Sequence, residues 1–212
     1  MSCCLLHFMK VLLFVDMHGS KAAFNKIEAK AKKAGLIICL GDFTVFGTDQ
    51  KKILKQINNF GKLCLLIHGN HETASEVKND CDGLKNILFI HNKIIRLGNL
   101  IFMGYGGGGF SLRDKGFENK FAPRFIQGVK KYKEKIGDKA KTVFISHGPP
   151  YGSKIDYLDD HHCGNKSFKE FYVKHKIDYV FCGHIHETAC VVEHVKTTTI
   201  INPGPSGMII EI

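Results

Sequence analysis

A chain of 212 residues, 44% apolar and 24% charged with a mean hydropathy near zero, has the balance of a globular protein and not of a disordered or membrane-embedded one. Its length suffices to bury about 70% of the unfolded surface, so one domain over residues 1–212 is expected. The formal charge of +10 comes almost wholly from lysine, which favours polyanions by long-range attraction and keeps nucleic acid or nucleotide substrates open without selecting them.

The first apolar stretch, Leu5–Val15, is broken by His7 and Lys10 and runs into Asp16, so it is too short to span a bilayer. It has no basic start and no small-residue cleavage site, so it is not read as a signal peptide. Met9 opens a complete apolar strand, and residues 1–8 are therefore expected to be a dispensable extension. The eight cysteines show no paired spacing and no C-x-x-C unit. Cys39, Cys64 and Cys182 sit inside apolar runs and read as reduced core thiols, which points to a cytoplasmic location; Cys3, Cys4 and Cys163 are the more exposed candidates for oxidation.

Apolar strands then alternate with lysine-rich amphipathic helices, the pattern of an α/β protein. Val11–Val15 reads as a buried strand, Lys21–Ala34 as a helix, Leu36–Leu40 as a strand, Asp49–Phe60 as a helix and Leu63–Ile67 as a strand. Shorter strands follow at Ile87–Ile90, Lys93–Leu97 and Leu100–Met103, the last two joined by a Gly98-Asn99 turn that brings in antiparallel pairing. A helix over Glu118–Ile136, a strand at Thr142–Ile145, a helix over Asn165–His175 and a strand at Tyr179–Cys182 come next. Strands at Ala189–His194, Thr199–Ile201 and Met208–Glu211 finish the chain.

Directly after five of the buried strands stand Asp16-Met17-His18, Gly41-Asp42, Gly69-Asn70-His71-Glu72, His147 and Gly183-His184-Ile185-His186. Loops at the carboxyl ends of strands in an open α/β sheet line one crevice, so residues far apart in sequence can converge there. Singly, each has an ordinary reading: Asp or Asn after a strand caps the next helix, and glycine marks a turn. Jointly they offer carboxylate, carboxamide and imidazole donors without thiolate, a set suited to manganese, iron, zinc, cobalt or nickel.

The ordered set Asp-x-His, Gly-Asp, Gly-Asn-His, His and Gly-His-x-His resembles the calcineurin-like metallophosphoesterase superfamily over residues 11–186, with no ligand missing. The Ser146–Gly152 run and the Ile201–Gly204 segment look like its small microbial phosphodiesterase branch. The resemblance implies an α/β fold, a four-layer αββα sandwich of two mixed β-sheets flanked by helices. It implies two divalent ions, manganese first, bridged by Asp42. Asp16, His18 and His186 complete one site, and Asn70, His147 and His184 the other. The implied reaction is hydrolysis of a small or nucleotide-like phosphodiester, in preference to a monoester, by direct attack of a metal-bridging hydroxide without a phosphoenzyme. His71 is the implied catalytic residue, protonating or polarising the leaving oxygen. Pairing into a homodimer is also in keeping with small members of the family. The family's Asn-His-Asp ends here in Glu72, which receives no role, and no substrate-binding residue is read.

Two other functions stay open: a non-catalytic protein-binding scaffold of the same fold, which would have lost ligands or the catalytic histidine, and a nuclease using the lysine surface, whose cleavage would fall steeply with salt. The lone histidines His7, His68, His91, His175 and His194 read as packed or surface residues, His161-His162 as a solvated loop and Arg113 as a surface arginine. Gly104–Gly109 contains G-x-G-x-x-G but opens no helix and has no acidic residue about 20 positions on, so it is expected as a mobile loop over the crevice and not as a dinucleotide site. His71-Glu72 and His186-Glu187 fail to complete H-E-x-x-H, and neither a Walker A motif nor a G-x-S-x-G elbow occurs.

Overall fold

The computed structural model describes residues 9–137 and 139–212; the expected extension at residues 1–8, with Cys3, Cys4 and His7, lies outside them. Strand β1 (Lys10–Phe14) is apolar on both faces because both are covered. Leu12 and Phe14 pack outward against Ala23, Ile27 and Ala31 of helix α1 (Lys21–Ala31) and Leu54 and Ile57 of helix α2 (Gln50–Asn58). Val11, Leu13 and Val15 point the other way, into a second core shared with Phe102, Val143, Ile145 and Phe181 from another sheet.

The first sheet has the order β13-β1-β2-β3-β4, with β2 at Leu36–Cys39, β3 at Cys64–Leu66, β4 at Ile87–Phe89 and β13 at Met208–Glu211. Its β1 to β4 run parallel, and β13 pairs antiparallel with β1. The second sheet has the order β11-β12-β10-β7-β6-β5. These strands span Lys93–Leu97 (β5), Leu100–Tyr105 (β6), Lys141–Ser146 (β7), Tyr179–Phe181 (β10), Val192–Val195 (β11) and Thr198–Ile201 (β12), with β5 and β11 as antiparallel edges. On its outer face Phe144, Val180 and Ile200 meet Phe125 and Val129 of helix α4 (Ala122–Ile136) and Phe168 and Phe171 of helix α5 (Lys166–Lys174). Two mixed sheets packed face to face with helices outside make the expected four layers.

Several boundaries shift for local reasons. Helix α1 stops at Ala31, short of the expected Ala34, because the Lys33 and Ala34 amides turn back to the carbonyls of Lys30 and Ala31. The segment before α4 begins as a π turn over Phe117–Phe121, ahead of Pro123, whose missing amide is tolerated only near a helix start. Helix α3 (Ala74–Asp80) was not expected, since Val77 is its one buried residue and leaves no apolar period. Its signal was Thr73 with Glu76 three residues on: the Thr73 hydroxyl accepts from the Glu76 amide at 3.3 Å and touches its carboxylate at 2.6 Å. A short hairpin of β8 (Tyr157–Leu158) and β9 (His161–His162) replaces the expected loop, and His162 Nδ1 lies 2.7 Å from buried Asp156. The expected loop at Gly104–Gly109 divides: Gly104 and Tyr105 belong to β6, the Gly107 amide donates to the His68 carbonyl at 2.9 Å, and beyond it the chain leads to Phe110.

Candidate metal centre

The loops after β1, β2, β3, β7 and β10 all leave the carboxyl ends of parallel strands, and the two sheets present those ends to one edge. All eight residues singled out in the sequence gather there. Asp16, His18 and His186 each bring one ligand atom within 4.8 Å of the others, and so do Asp42, His147 and His184. His18, Asp42 and His71 form a third group by the same measure, and Asn70 joins through Oδ1, 2.9 Å from His147 Nε2.

The backbone is bent to reach this arrangement. Asp16, His18, Asp42 and His184 have φ of 54°, 46°, 49° and 72°, in the left-handed region that non-glycine residues seldom adopt. Between the loops after β2 and β3 the close approach belongs to glycine: a Cβ on Gly41 would stand 2.3 Å from the Gly69 nitrogen, and one on Gly69 2.6 Å from the Asp42 nitrogen.

Glu72 holds those two loops together, a role the sequence reading did not give it. Its buried carboxylate accepts from the Asp42 amide (3.0 Å), the Gly69 amide (3.0 Å), the Thr44 amide (2.9 Å) and the Thr44 hydroxyl (2.7 Å). Four donors satisfy a buried carboxylate fully, whereas they leave it no part in orienting His71. The shift from Asp to Glu after Asn-His was the available signal, because the longer side chain reaches past its own loop.

The imidazoles are set by their other nitrogens. His147 Nδ1 donates to the Leu40 carbonyl at 2.9 Å and His18 Nδ1 to the Thr44 carbonyl at 3.1 Å, so both carry a lone pair on Nε2. Yet His18 Nε2 faces His186 Nε2 at 3.2 Å, and His147 Nε2 faces Asn70 Oδ1 at 2.9 Å and Asp42 Oδ2 at 3.4 Å. At these distances each such pair needs a proton or a cation between its facing atoms. Asp16 Oδ1 and His184 Nε2 are buried with no hydrogen-bond partner among the described residues. Burial pushes the Asp42 carboxyl up, but the hydrogen bond and charge of His147, with the His71 amide, outweigh it and hold it at about 2. Burial pulls His147 down, and the hydrogen bond and charge of Asp42 more than reverse this, so a proton can hold the two together. Burial and neighbouring His147 lower His184 to about 4, which keeps its lone pair free. A proton and a cation compete for the same positions, and the donor set of carboxylate, carboxamide and neutral imidazole fits a divalent ion.

His71 stands beside this cluster. Its amide donates to Asp42 Oδ1 at 2.8 Å, its Nδ1 accepts from the Phe46 amide at 3.4 Å, and its Nε2 lies 3.9 Å from Asp42 Oδ2. The remaining candidates fall elsewhere: Arg113 pairs with Glu118 at 2.8 Å and with Glu170 on the surface, and His68 packs on His91 with ring centroids 4.6 Å apart. No helix among the described residues is long and apolar enough to cross a membrane.

Residues 9–188 match the family model described as calcineurin-like phosphoesterase. An uncharacterized protein of Methanocaldococcus jannaschii is 29% identical over 210 residues, covering 94% of this chain and 90% of that protein. A crystal structure of a Thermus thermophilus protein shares the fold with a TM-score of 0.69 at 14% identity, covering 94% of this chain and 91% of the other. A structure described as a dimetal phosphatase from Danio rerio aligns with a TM-score of 0.55 at 9% identity, covering 91% and 86%.

Proposed function

The chain belongs to the calcineurin-like phosphoesterase family, and on that premise we propose that it hydrolyses a small or nucleotide-like phosphodiester with two divalent transition-metal ions. Asp16, His18 and His186 would hold one ion, Asn70, His147 and His184 the other, and Asp42 both. The observation that carries this reading is the pair of three-residue groups, Asp16/His18/His186 and Asp42/His147/His184, in each of which the ligand atoms lie within 4.8 Å of one another. Manganese is the first choice by family resemblance, and iron, zinc, nickel or cobalt suit the same donors. The diester preference rests on the likeness of Ser146–Gly152 and Ile201–Gly204 to the small phosphodiesterase branch.

Such ions, when bound, would supply Lewis-acid polarisation of a phosphoryl oxygen and would lower the pKa of a coordinated water. The chain's own part follows from the geometry. Asp42, at about 2, stays ionised at neutral pH and needs no deprotonation before it serves. Leu40 and Thr44 carbonyls fix His147 and His18 with Nε2 toward the cluster, so orientation is set in advance. Because the Phe46 amide occupies His71 Nδ1, the ring hydrogen of His71 sits on Nε2, the nitrogen nearer Asp42, from which it can give a hydrogen bond that polarises the departing oxygen. A scaffold would need no such set, and here all ligand residues and His71 are retained. Cys39, Cys64 and Cys182 are free, buried thiols, which is what the proposed reducing cytoplasm would maintain.

The test is an assay of metal-stripped protein on bis-p-nitrophenyl phosphate and p-nitrophenyl phosphate with manganese, nickel, cobalt, zinc or magnesium. Manganese should restore diester cleavage, which Asp42→Ala abolishes and His71→Ala weakens by on the order of 100-fold. Dominant monoester cleavage would change the substrate class, and inactivity with every metal would move the scaffold reading to first place.

A further inference from the structure

Two exposed phenylalanines stand at opposite ends of the histidine cluster. Phe46, in the loop after β2, is 78% exposed and lies nearly flat on His71, with ring centroids 4.2 Å apart and planes 13° apart. Phe110, in the loop after β6, is 62% exposed and packs against His184 at 4.6 Å. His71 touches His18 at 4.6 Å and His184 touches His147 at 5.2 Å, so the two phenylalanines bracket the rings of the candidate metal centre.

A single exposed apolar side chain is ordinary surface. Phe46 differs in its backbone, whose φ of 47° lies in the left-handed region, strained for a bulky side chain. Glycine would sit there with less strain, and so exposed a ring buries little apolar area. Neither backbone preference nor core packing accounts for phenylalanine at this position. Its pairing with His71 does give it a place: one ring face on the candidate catalytic histidine and the rest open to a ligand. Phe46 itself lines an open groove with Gly47, Gln50 and Lys51, and a second groove of about 590 Å³ runs from His18 between α1 and α2 past Val45 and Phe24.

We propose that Phe46 and Phe110 are stacking residues for the two side groups of a phosphodiester, so that the preferred substrate carries a nucleobase or similar flat ring on each side of the scissile phosphate. The proposal rests on the phosphodiesterase reading above and adds the substrate class to it. Every base offers a π-face, so stacking of this kind tolerates base identity and requires no hydrogen-bonding partners. Stacking of one base is worth roughly 5- to 150-fold in affinity.

The experiment compares thymidine 5′-(p-nitrophenyl phosphate), with two flat groups, against methyl p-nitrophenyl phosphate, with one. Both release the same leaving group, so their kcat/KM ratio within each variant cancels any general loss. The wild type should favour the thymidine ester by about 5- to 150-fold. The Phe46→Leu/Phe110→Leu double variant should bring the ratio near one, and the corresponding tyrosine pair should keep it. Independently of turnover, binding of a non-hydrolysable dinucleotide methylphosphonate to the metal-loaded protein, read by calorimetry, should weaken by about 5- to 150-fold in the leucine pair. A wild-type ratio near one, a ratio indifferent to the leucine pair, or methylphosphonate affinity unchanged in that pair would overturn the proposal while methyl ester turnover keeps the phosphodiesterase reading alive. Failure to cleave either ester with any metal would remove that reading, and this proposal with it.

Discussion

His147 has no exposed surface, donates to Leu40 and touches both Asp42 and Asn70, whereas His186, in the other half of the same cluster, is exposed and meets His18 across 3.2 Å. The difference follows from where each loop leaves the sheets. His147 follows β7, a central strand flanked by β6 and β10, and its side chain is enclosed before any ligand arrives. His186 comes two residues further from its strand than His184, in a single turn of 3₁₀ helix over His186–Thr188 that faces solvent. His147 is therefore held by packing before any ligand arrives and His186 stays adjustable, which suits an ion kept tightly at the first beside one that meets solvent at the second.

The sharpest way to break this comparison is to remove one histidine from each half. His147→Ala should weaken binding of the first ion by on the order of 100-fold, while His186→Ala should keep one ion per chain and lose the second. Metal content after dialysis, read by elemental analysis, checks it, and equal losses in the two variants would refute the asymmetry.

Glu72 sharpens it from the backbone side. Glu72→Gln turns an NH2 toward amides that need an acceptor, and should cost about 1–3 kcal/mol of stability. The thermal midpoint of the metal-stripped protein would then fall by roughly 2–12 °C. A midpoint unchanged without metal and lowered only with it would tie Glu72 to the ion instead of the loops.

Behind the Asn70 loop, His91 supplies a pH effect with a definite sign. Burial, with the charge of His68, lowers it to about 4 from the ordinary 6.5. Between these values the unfolded chain binds more protons, so this stabilisation is fully present above pH 6.5 and is lost as the pH falls toward 4. Urea midpoints at pH 7, 5.5 and 4.5 should fall less steeply in His91→Gln than in the wild type.

The smallest expected effect is at Phe46. Phe46→Gly relieves a left-handed backbone and removes a ring that is mostly in water, so its thermal midpoint should match or slightly exceed that of the wild type. A clear fall in calorimetry would mean that the exposed half of the centre depends on this ring for its fold.

Much of the architecture was legible because burial on both faces imposes unbroken apolar runs such as Val11–Val15, and lysine-rich helices show their buried stripe as Ile53, Leu54 and Ile57. The convergence of the eight candidate residues was legible because each directly follows or lies near the end of a strand, where chain direction alone carries it to one edge of the sheets. Helix α3 was missed because one buried valine makes no period, and the β8–β9 hairpin because strands of two residues have none. Glu72 was missed because a carboxylate that serves amides in neighbouring loops looks, in one dimension, like a variant of a ligand motif.

By itself the sequence determined the alternation of strands and helices, the donor types and their order, since these depend on periodicity and on chemistry carried by single residues. Only the tertiary structure decided which donors face one another, which nitrogen of His18, His147 and His71 meets the backbone, and that Glu72 ties two loops and Phe46 covers His71. Those properties depend on distances between chain segments 25 to 168 residues apart, as the Phe46–His71 and His18–His186 contacts are, and no local pattern encodes them.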